Sequence, residues 1–408
     1  SAPPPPSAPS LPSNFAAPPS ASPSSIGPIV GGGVGAGFAV LILLCLVLLR
    51  RRSKARAHAS SREENGPSQQ LSPLELARSI KARKSVEARA NAKSELHKAM
   101  FAAADELGGR YSQLRDPSGD VRFEAKDLIF GRPEQAARGV AHYLCVSDEE
   151  LRKGMILGLQ AIREEVARNG TEADKECLAY VLDMEAGSSA KAFQGGLKRD
   201  CDKDGCVLPS RLTAEGRGMR LSDFVAHEDA VLAGLREAHV AALRFYTTAA
   251  FATINNGLRD QARYTAGRAH PLPVTVAFIK EALGFLRVVA AQSQANVSVT
   301  LYRGMKGMKV QDNFLQQGRG GTELAPMSTT RSLKVAMQYA ASENSLLLRI
   351  DTKNFMVRGP AISFLSAFPA EEEYLFPPLT YLEPTPEGVQ TLRVDDATFT
   401  VIDVQPAQ

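Results

Sequence analysis

The sequence predicts an α+β protein in which helices precede a strand-rich C-terminal part. Helical periodicity dominates from about Leu74 to Gln194. It returns after Asp223 in two amphipathic segments, HEDAVLAGLREAHVAALRFYTTAAFATINNGLRD and VTVAFIKEALGFLRVVAAQ. From Val297 onward the chain is typical of short strands, VSVTLYRG, SLLLRID, AISFLSAF, EYLFP, TLRVDD and TFTVIDV. Strands that follow helices, instead of alternating with them, favour an α+β fold over a βαβ arrangement.

The N-terminal part predicts a membrane anchor. Residues 1–25 are almost entirely Pro, Ser and Ala, a composition typical of a disordered stalk. Residues 26–49 carry no charge, and a helix of about 24 residues crosses a hydrocarbon core of roughly 30 Å. Because the basic segment 50–73 follows this run, we expect one transmembrane helix, a juxtamembrane linker and a cytosolic C-terminal side.

Small residues inside this predicted span suggest self-association. Gly31 with Gly35, and Gly33 with Gly37, have the spacing of closely packed membrane helices. A dimer through the transmembrane helix is one interpretation. The other is that glycine is simply common in such helices.

Neither the charge nor the cysteine content points to nucleic acid or zinc as a partner. The net charge is +4 and is not concentrated on an aromatic-rich face, so nucleic acid is not an implied partner. Of five cysteines only Cys201 and Cys206 lie close together, and zinc-like spacing is absent. We expect reduced, structural thiols.

Residues 74–210 are predicted to form a helical accessory region. Ser147 and Glu150 form a capping box before a periodic run. Thr171 precedes another helix, whose C-terminal end is predicted at Gly187. No residue of these helices suggests catalysis.

Arg303 is the first candidate for chemistry. In a strand it shares a face with Val297, Val299 and Leu301, which are expected to point into the core. A guanidinium at such a position needs an anion. A bound phosphate would serve, and so would an internal carboxylate.

Hydroxyl side chains form the second candidate, Ser328-Thr329-Thr330, ahead of an amphipathic helix from Leu333 to Ala341. These hydroxyls can line a binding wall. Alternatively, Thr330 or Ser332 merely caps the helix.

Three consecutive carboxyl groups form the third candidate, Glu371-Glu372-Glu373, between strongly apolar segments. A solvated surface is the usual place for such a triplet. In an extended segment, however, Glu371 and Glu373 point to one side, and their mutual repulsion raises one pKa. Two acids on one face can then divide two roles.

The three candidates fit one reaction. The nicotinamide–ribose bond of NAD breaks through an oxocarbenium-like state, which a nearby carboxylate stabilises. An arginine would meet the pyrophosphate, and hydroxyls would hold the binding wall.

In this order, LYRG, MSTT and FPAEEEYLFPP resemble the R–S–E signature of the arginine-specific mono-ADP-ribosyltransferase family, with its E-x-E motif. The segment LRFYTTAAFATINNGLR is similar to the helical lobe of that family. The resemblance covers residues 218–405 and implies a split β-sandwich with a helical lobe, preceded here by the helical accessory domain and one transmembrane helix. It departs from the family at STT, where STS is usual.

The resemblance also implies roles for individual residues. Glu371 would engage the acceptor guanidinium and Glu373 the ribose, while Phe368 with Glu371 would belong to the loop that presents the acceptor. NAD would be the substrate and arginine-containing proteins the acceptors. The basic segment 50–73, and not the resemblance, places the catalytic domain in the cytosol. Catalytic roles are implied for Arg303, Ser328, Glu371 and Glu373, and NAD binding for Arg303, Gly304, Ser328, Thr329 and Glu373.

Two alternatives to this function remain open. Water could replace the acceptor, which would make the enzyme an NAD glycohydrolase. The fold could also serve as an inactive, membrane-anchored binding module.

A calcium loop is the remaining motif. Asp200, Asp202 and Asp204 in DCDKDGCV match the first half of an EF-hand loop. Arg211 stands where the bidentate glutamate is expected, so calcium binding should be weak. The alternative is an acidic turn.

Overall fold

Most of the helices precede the strands of the main sheet, as the sequence predicts. The structure is a computed structural model, and it describes residues 88, 91, 93–106, 126–128, 130–188, 197–294, 297–316, 320–342, 345–394 and 397–407. Within these residues the helices are α1 (93–106), α2 (Pro133–Ala136), α3 (Val140–Leu144), α4 (Asp148–Leu157), α5 (Leu159–Asn169), α6 (Glu172–Asp183), α7 (Leu221–Val225), α8 (Glu228–Leu232), α9 (Glu237–Tyr246), α10 (Phe251–Arg259), α11 (Gln261–Thr265), α12 (Pro273–Gln294) and α13 (Leu333–Ala340).

The strands form one main sheet and a small one. They are β1 (Lys126–Leu128), β2 (Val299–Lys306), β3 (Met308–Val310), β4 (Gly321–Glu323), β5 (Met327–Thr330), β6 (Ser345–Thr352), β7 (Glu373–Phe376), β8 (Thr380–Val394) and β9 (Ala397–Ala407). Because β2 begins only at Val299, Val297 lies outside the strand and is 49% exposed, so its predicted place in the core is wrong.

The main sheet has seven strands in the order β4-β8-β9-β6-β2-β5-β7, and β1 pairs with β3 in the small sheet. Within the main sheet only β6 and β9 run parallel. The ladder between β2 and β6 runs along all of β2, whereas β2 meets β5 at a single pair, Tyr302 with Thr330. The predicted split of the sandwich therefore corresponds to one hydrogen-bonded sheet that almost separates between β2 and β5.

Both faces of the sheet centre are covered. Successive residues of β6 point to opposite faces, so Leu347 packs with α1 and α13 while Leu346 and Leu348 join a core on the other side. This double coverage explains the continuous apolar run SLLLRI. It also fixes α13 against β2, beside the place where the sheet separates.

Helices from both halves of the helical part share one hydrophobic core. Ile162 and Tyr180, from the predicted accessory region, are buried with Phe245 and Phe278 from the later helices. Residues 80–408 form one compact unit. The capping boxes at Ser147 and Thr171 open α4 and α6, although α6 ends before Gly187.

Two sequence-based predictions of secondary structure are wrong. The segment predicted as one long helix is broken into α8, α9 and α10, because Gly234 adopts a φ of 66° after α8 and Thr247 and Thr248 bond back to carbonyls at the end of α9. The segment AISFLSAF forms turns instead of a strand. Arginine side chains bind its backbone carbonyls and replace a strand partner.

The predicted membrane anchor cannot be compared with the structure. Stalk, span, linker and the paired glycines, at positions 1–73, lie outside the described residues. Within the part of the chain that is described, no helix is both long and apolar enough to span a bilayer.

Candidate active site

A cavity of about 210 Å³ opens where the sheet almost separates between β2 and β5. Its walls come from β2, β5, α13, the helices α9 and α10, and the segment 368–373. The predicted site residues that line it are Arg303, Gly304, Ser328, Thr329, Phe368, Glu371 and Glu373. Residues from three separate parts of the sequence therefore meet at one place.

Arg303 projects from β2 and shares a buried carboxylate. Its Nη1 donates to the carbonyl oxygen of Ser328 at 3.3 Å, and its Nη2 lies 3.5 Å from an oxygen of Glu323. Arg259 grips the same carboxylate more closely, through two contacts of 3.0 and 2.8 Å. Two guanidinium groups thus face one carboxylate, which leaves one positive charge available to an anion in the cavity.

Electrostatics within this trio follow from burial and charge. Burial lowers the pKa of Arg303, and the Glu323 carboxylate opposes that shift. For Glu323, burial raises the pKa, but the two guanidinium charges outweigh it and the net shift is downward. Glu323 therefore stays ionised and holds Arg303 at the cavity wall.

Gly304 allows α13 to rest directly on β2. A Cβ atom at this position would lie 1.7 Å from the carbonyl oxygen of Ala336 in α13. Only glycine fits such a close backbone approach. Gly304 also lines the cavity. Glycine is required at this position because of the contact with Ala336.

The three hydroxyl side chains of β5 have different partners. Thr329 donates to the carbonyl oxygen of Tyr374 at 2.8 Å, which joins β5 to β7. Thr330 donates to the carbonyl oxygen of Glu371 at 2.6 Å and so holds the acidic turn. Ser328 bonds the carboxylate of Glu373. Helix α13 is capped instead by Ser332, which decides between the two predicted caps.

The acidic triplet is a turn and not an extended segment, so its predicted conformation is wrong, although Glu371 and Glu373 do share one side. Pro369–Glu371 form a 3-10 turn, Glu372 has a φ of 48°, and β7 begins at Glu373. This turn carries Glu371 and Glu373 into the same cavity and leaves Glu372 exposed. The two acids share a site for a different geometric reason from the one predicted.

Glu373 is buried, with 5% of its surface exposed. Burial raises its pKa from 4.5 to about 7, the nearby Glu371 carboxylate adds to the shift, and hydrogen bonds from Ser328 and Ser366 oppose it. Coupling between the two acids, which the sequence suggests as the cause, is thus smaller than the effect of burial. The oxygen of Ser366 lies 3.5 Å from the carboxylate.

Glu371 has a separate partner. The hydroxyl of Tyr339, on α13, donates to its carboxylate at 2.6 Å. Burial raises the pKa of Glu371, and this hydrogen bond opposes the shift. The carboxylate lies at the cavity next to Phe368, which is itself buried.

Several lining residues come from the helical part and were not singled out by the sequence. They are Tyr246, Thr247, Phe251 and Asn255, together with Tyr339 from α13. Asn255 donates to the hydroxyl of Tyr246 at 3.3 Å, and its own carbonyl oxygen lacks a partner within the described residues. Nothing in the local sequence marks these residues as part of a site. The one exception is the pair Asn255-Asn256, because two adjacent amides are unusual in an apolar helix.

The predicted calcium loop is instead closed by arginine. Asp200 is completely buried and pairs with Arg211 at 2.8 Å and with Arg244 at 2.9 Å. Arg211, which replaces the expected bidentate glutamate, thus binds the first acidic residue of the loop. Asp202 accepts two backbone N–H groups at 2.9 Å, from Asp204 and Cys206. Among the described residues no cluster of His, Cys, Asp or Glu fits a metal ion.

Cysteines close to this loop are not paired. Cys201 is buried and Cys206 exposed, and both are free, as are Cys145 and Cys177.

A family model matches the part of the chain that contains the site. Residues 219–391 match the family described as NAD:arginine ADP-ribosyltransferase. No curated protein matches the chain.

Three solved structures that are similar to the chain are distant from it in sequence. Exoenzyme S from Pseudomonas aeruginosa is 20% identical, with a TM-score of 0.32, over 46% of this chain and 87% of that chain. HopU1, an ADP-ribosyltransferase of Pseudomonas syringae, is 21% identical with a TM-score of 0.33, over 48% of this chain and 92% of that one. The eukaryotic mono-ADP-ribosyltransferase ART2.2 is 16% identical with a TM-score of 0.31, over 46% and 83% respectively.

Proposed function

We propose that this protein transfers ADP-ribose from NAD to arginine side chains of protein acceptors, on the premise that residues 219–391, which match the NAD:arginine ADP-ribosyltransferase family, use NAD as that family does. Nicotinamide is the other product. One observation carries the proposal: Glu371 and Glu373 share a cavity with Arg303 but have different partners.

Arg303 supplies the charge for binding the pyrophosphate. Since Arg259 already neutralises Glu323 through two short contacts, the weaker 3.5 Å contact of Arg303 can be exchanged for a phosphate oxygen. A planar guanidinium suits two-point contact with phosphate. The carbonyl of Ser328 keeps the side chain oriented toward the cavity.

Glu373 stabilises the charge that develops on the ribose. As the bond between C1′ and the nicotinamide nitrogen breaks, the bonding electrons leave with nicotinamide and C1′ becomes cationic. A fixed carboxylate in a buried site stabilises such a cation more strongly than water does. Hydrogen bonds from Ser328 and Ser366 favour the ionised form of this carboxylate, although burial raises its pKa to about 7.

Glu371 orients the acceptor. A guanidinium nitrogen attacks C1′, forms the new C–N bond and then loses a proton. The carboxylate of Glu371 can accept two N–H groups of that guanidinium, as ion pairs between arginine and carboxylates do. Its place at the start of the acidic turn, beside Phe368, separates this task from bond cleavage.

Nicotinamide release, measured with and without a soluble arginine analogue, tests the proposal. Glu373→Gln should reduce release at least about 100-fold, because it removes a charge aimed at the transition state. Glu372→Gln is the matched control, since Glu372 is adjacent and exposed, and it should retain normal turnover. Release without modification of the analogue would favour the hydrolase, and no release by the native chain would favour an inactive binding module.

A further inference from the structure

A buried ion cluster in the helical part contacts the loop that leads to the acidic turn. The cluster consists of Asp200, Arg211 and Arg244, whose exposed fractions are 0%, 3% and 2%. Tyr180 donates a further hydrogen bond to Asp200 at 2.5 Å. One carboxylate thus holds two guanidinium groups, and each of these has donors left for other partners.

Those remaining donors bind the loop of residues 363–368, here called the clamp loop. Arg211 Nη2 donates to the carbonyl oxygens of Ser363 at 2.6 Å and Ser366 at 2.8 Å. Arg244 Nη1 donates to that of Leu365 at 2.9 Å. The backbone N–H of Asp200 donates to the carbonyl of Ala367 at 2.7 Å.

These contacts explain why an apolar, strand-like segment folds as turns. Four carbonyl groups of the clamp loop bond to the cluster, so a neighbouring strand is not needed to satisfy them. The cluster is distant in sequence from the clamp loop: Arg211 lies 152 residues before Ser363, and Arg244 lies 121 residues before Leu365. The helical part therefore decides the geometry of the clamp loop.

The clamp loop continues directly into the candidate site. Its Ser366 hydroxyl lies 3.5 Å from the Glu373 carboxylate and accepts the N–H of Phe368 at 3.1 Å. The N–H of Ala367 donates to Thr247, which lines the cavity. A displacement of the loop backbone would therefore move Ser366 and Phe368 together.

We propose that Asp200, Arg211 and Arg244 are positioning residues, which act through the clamp loop to hold Ser366, Phe368 and the glutamate turn in their reactive geometry. In this proposal the DCDKDG segment holds the clamp loop in place through Asp200. The arginines paired with Asp200 occupy the place that a calcium ion would take in an EF-hand loop. This inference rests on the proposed function, because it assigns the cluster to the same reaction.

Arg211→Lys is the most direct test. Lysine keeps the positive charge beside Asp200, but one ammonium on a flexible chain cannot also span both serine carbonyls. We expect kcat for nicotinamide release to fall about tenfold or more, since small misplacements of reacting groups cost that much. The KM for NAD should stay within about twofold, because Arg303 and its partners are not touched.

Two further variants separate positioning from loss of folding. Arg217→Lys makes the same chemical change nearby, at a partly exposed arginine that pairs with Asp223, and it should leave kcat unchanged. Ser366→Ala removes the hydroxyl at the end of the clamp. In the double variant with Arg211→Lys, the loss of kcat should be smaller than the two single losses combined. Both changes act on the position of the clamp loop, so their effects are not independent.

Hydrogen exchange provides a readout that does not depend on turnover. In Arg211→Lys, amides of residues 363–368 should exchange about tenfold faster, while those of β2 remain as in the native chain. Unchanged exchange in the clamp loop, or an equal rise throughout the protein, would overturn the positioning role. If the native chain releases no nicotinamide, the proposed function fails, and the exchange result still decides whether the cluster holds the loop.

Discussion

Glu371 and Glu373 are separated by one residue but are held by different groups. Tyr339 on α13 binds the first carboxylate. Ser328 on β5 and Ser366 of the clamp loop bind the second. The left-handed Glu372 between them turns the chain, and both acids line the same cavity.

Replacing the first of these acids should separate two activities. Glu371→Gln should lose arginine modification but keep much of the NAD hydrolysis, because water needs no group to orient a guanidinium. Nicotinamide and modified arginine are measured in the same reaction. An equal loss of both would mean that the two acids act as one unit.

Activity should depend on pH through Glu373. Its pKa is raised from 4.5 to about 7, mainly by burial. The carboxylate is the active form, so kcat/KM for nicotinamide release should rise about tenfold per pH unit below 7 and level off above it. In Glu371→Gln the neighbouring negative charge is gone, so the rise should move to lower pH. A profile that is flat from pH 5 to 8 would contradict the assignment.

The same raised pKa acts on stability with the opposite sign. The folded state binds this proton more tightly than the unfolded state, so the stabilisation is complete below about pH 4.5 and is lost as pH rises toward 7. The difference amounts to about 3 kcal/mol. The proposed catalysis thus requires the ionised form of Glu373, which the folded state stabilises less than the protonated form.

At the scale of elements, α13 packs directly on β2 along one wall of the cavity. Gly304 brings the two backbones together, and α13 then places Tyr339 against Glu371. Thr330 ties β5 to the acidic turn on the opposite side. Packing between these elements, and not any one side chain, keeps the two acids at one site.

Gly304→Ala should disturb this contact. Its Cβ would meet the backbone oxygen of Ala336, so α13 must shift, and we expect a loss of about 3 kcal/mol in the free energy of unfolding. Gly284→Ala is the control, since Gly284 is an exposed position of α12 and an added Cβ there meets nothing within 4 Å. That change should stabilise the protein by about 0.5–1 kcal/mol. Urea unfolding measures both, and equal stability of the two variants would argue against the close approach.

At the scale of the whole molecule, the helical and strand-rich parts depend on each other. The core that contains Ile162 and Tyr180 also contains Ile362 and Leu375 from the site region. Arg211 and Arg244 reach from the helical part to the clamp loop, and residues of α9 and α10 line the candidate site.

The predicted anchor leads to a test on intact cells. If residues 26–49 span the membrane and the basic segment 50–73 stays inside, a protease added outside should spare residues 218–405. Permeabilised cells, in which the same protease should cleave, are the control. Cleavage in intact cells would place the catalytic domain outside.

The sequence by itself determined the order of helices and strands, the capping box at Ser147, and the three motifs around Arg303, Ser328 and Glu373. Each of these depends on residues a few positions apart, where periodicity, caps and short motifs act directly. Only the tertiary structure decided that AISFLSAF forms turns, that Asp200 pairs with Arg211 and Arg244, and that Tyr339 binds Glu371. These outcomes depend on partners far apart in the chain, such as Arg211 and Ser363. A buried charge or carbonyl takes whichever partner the folded chain brings to it, and local sequence does not specify that partner.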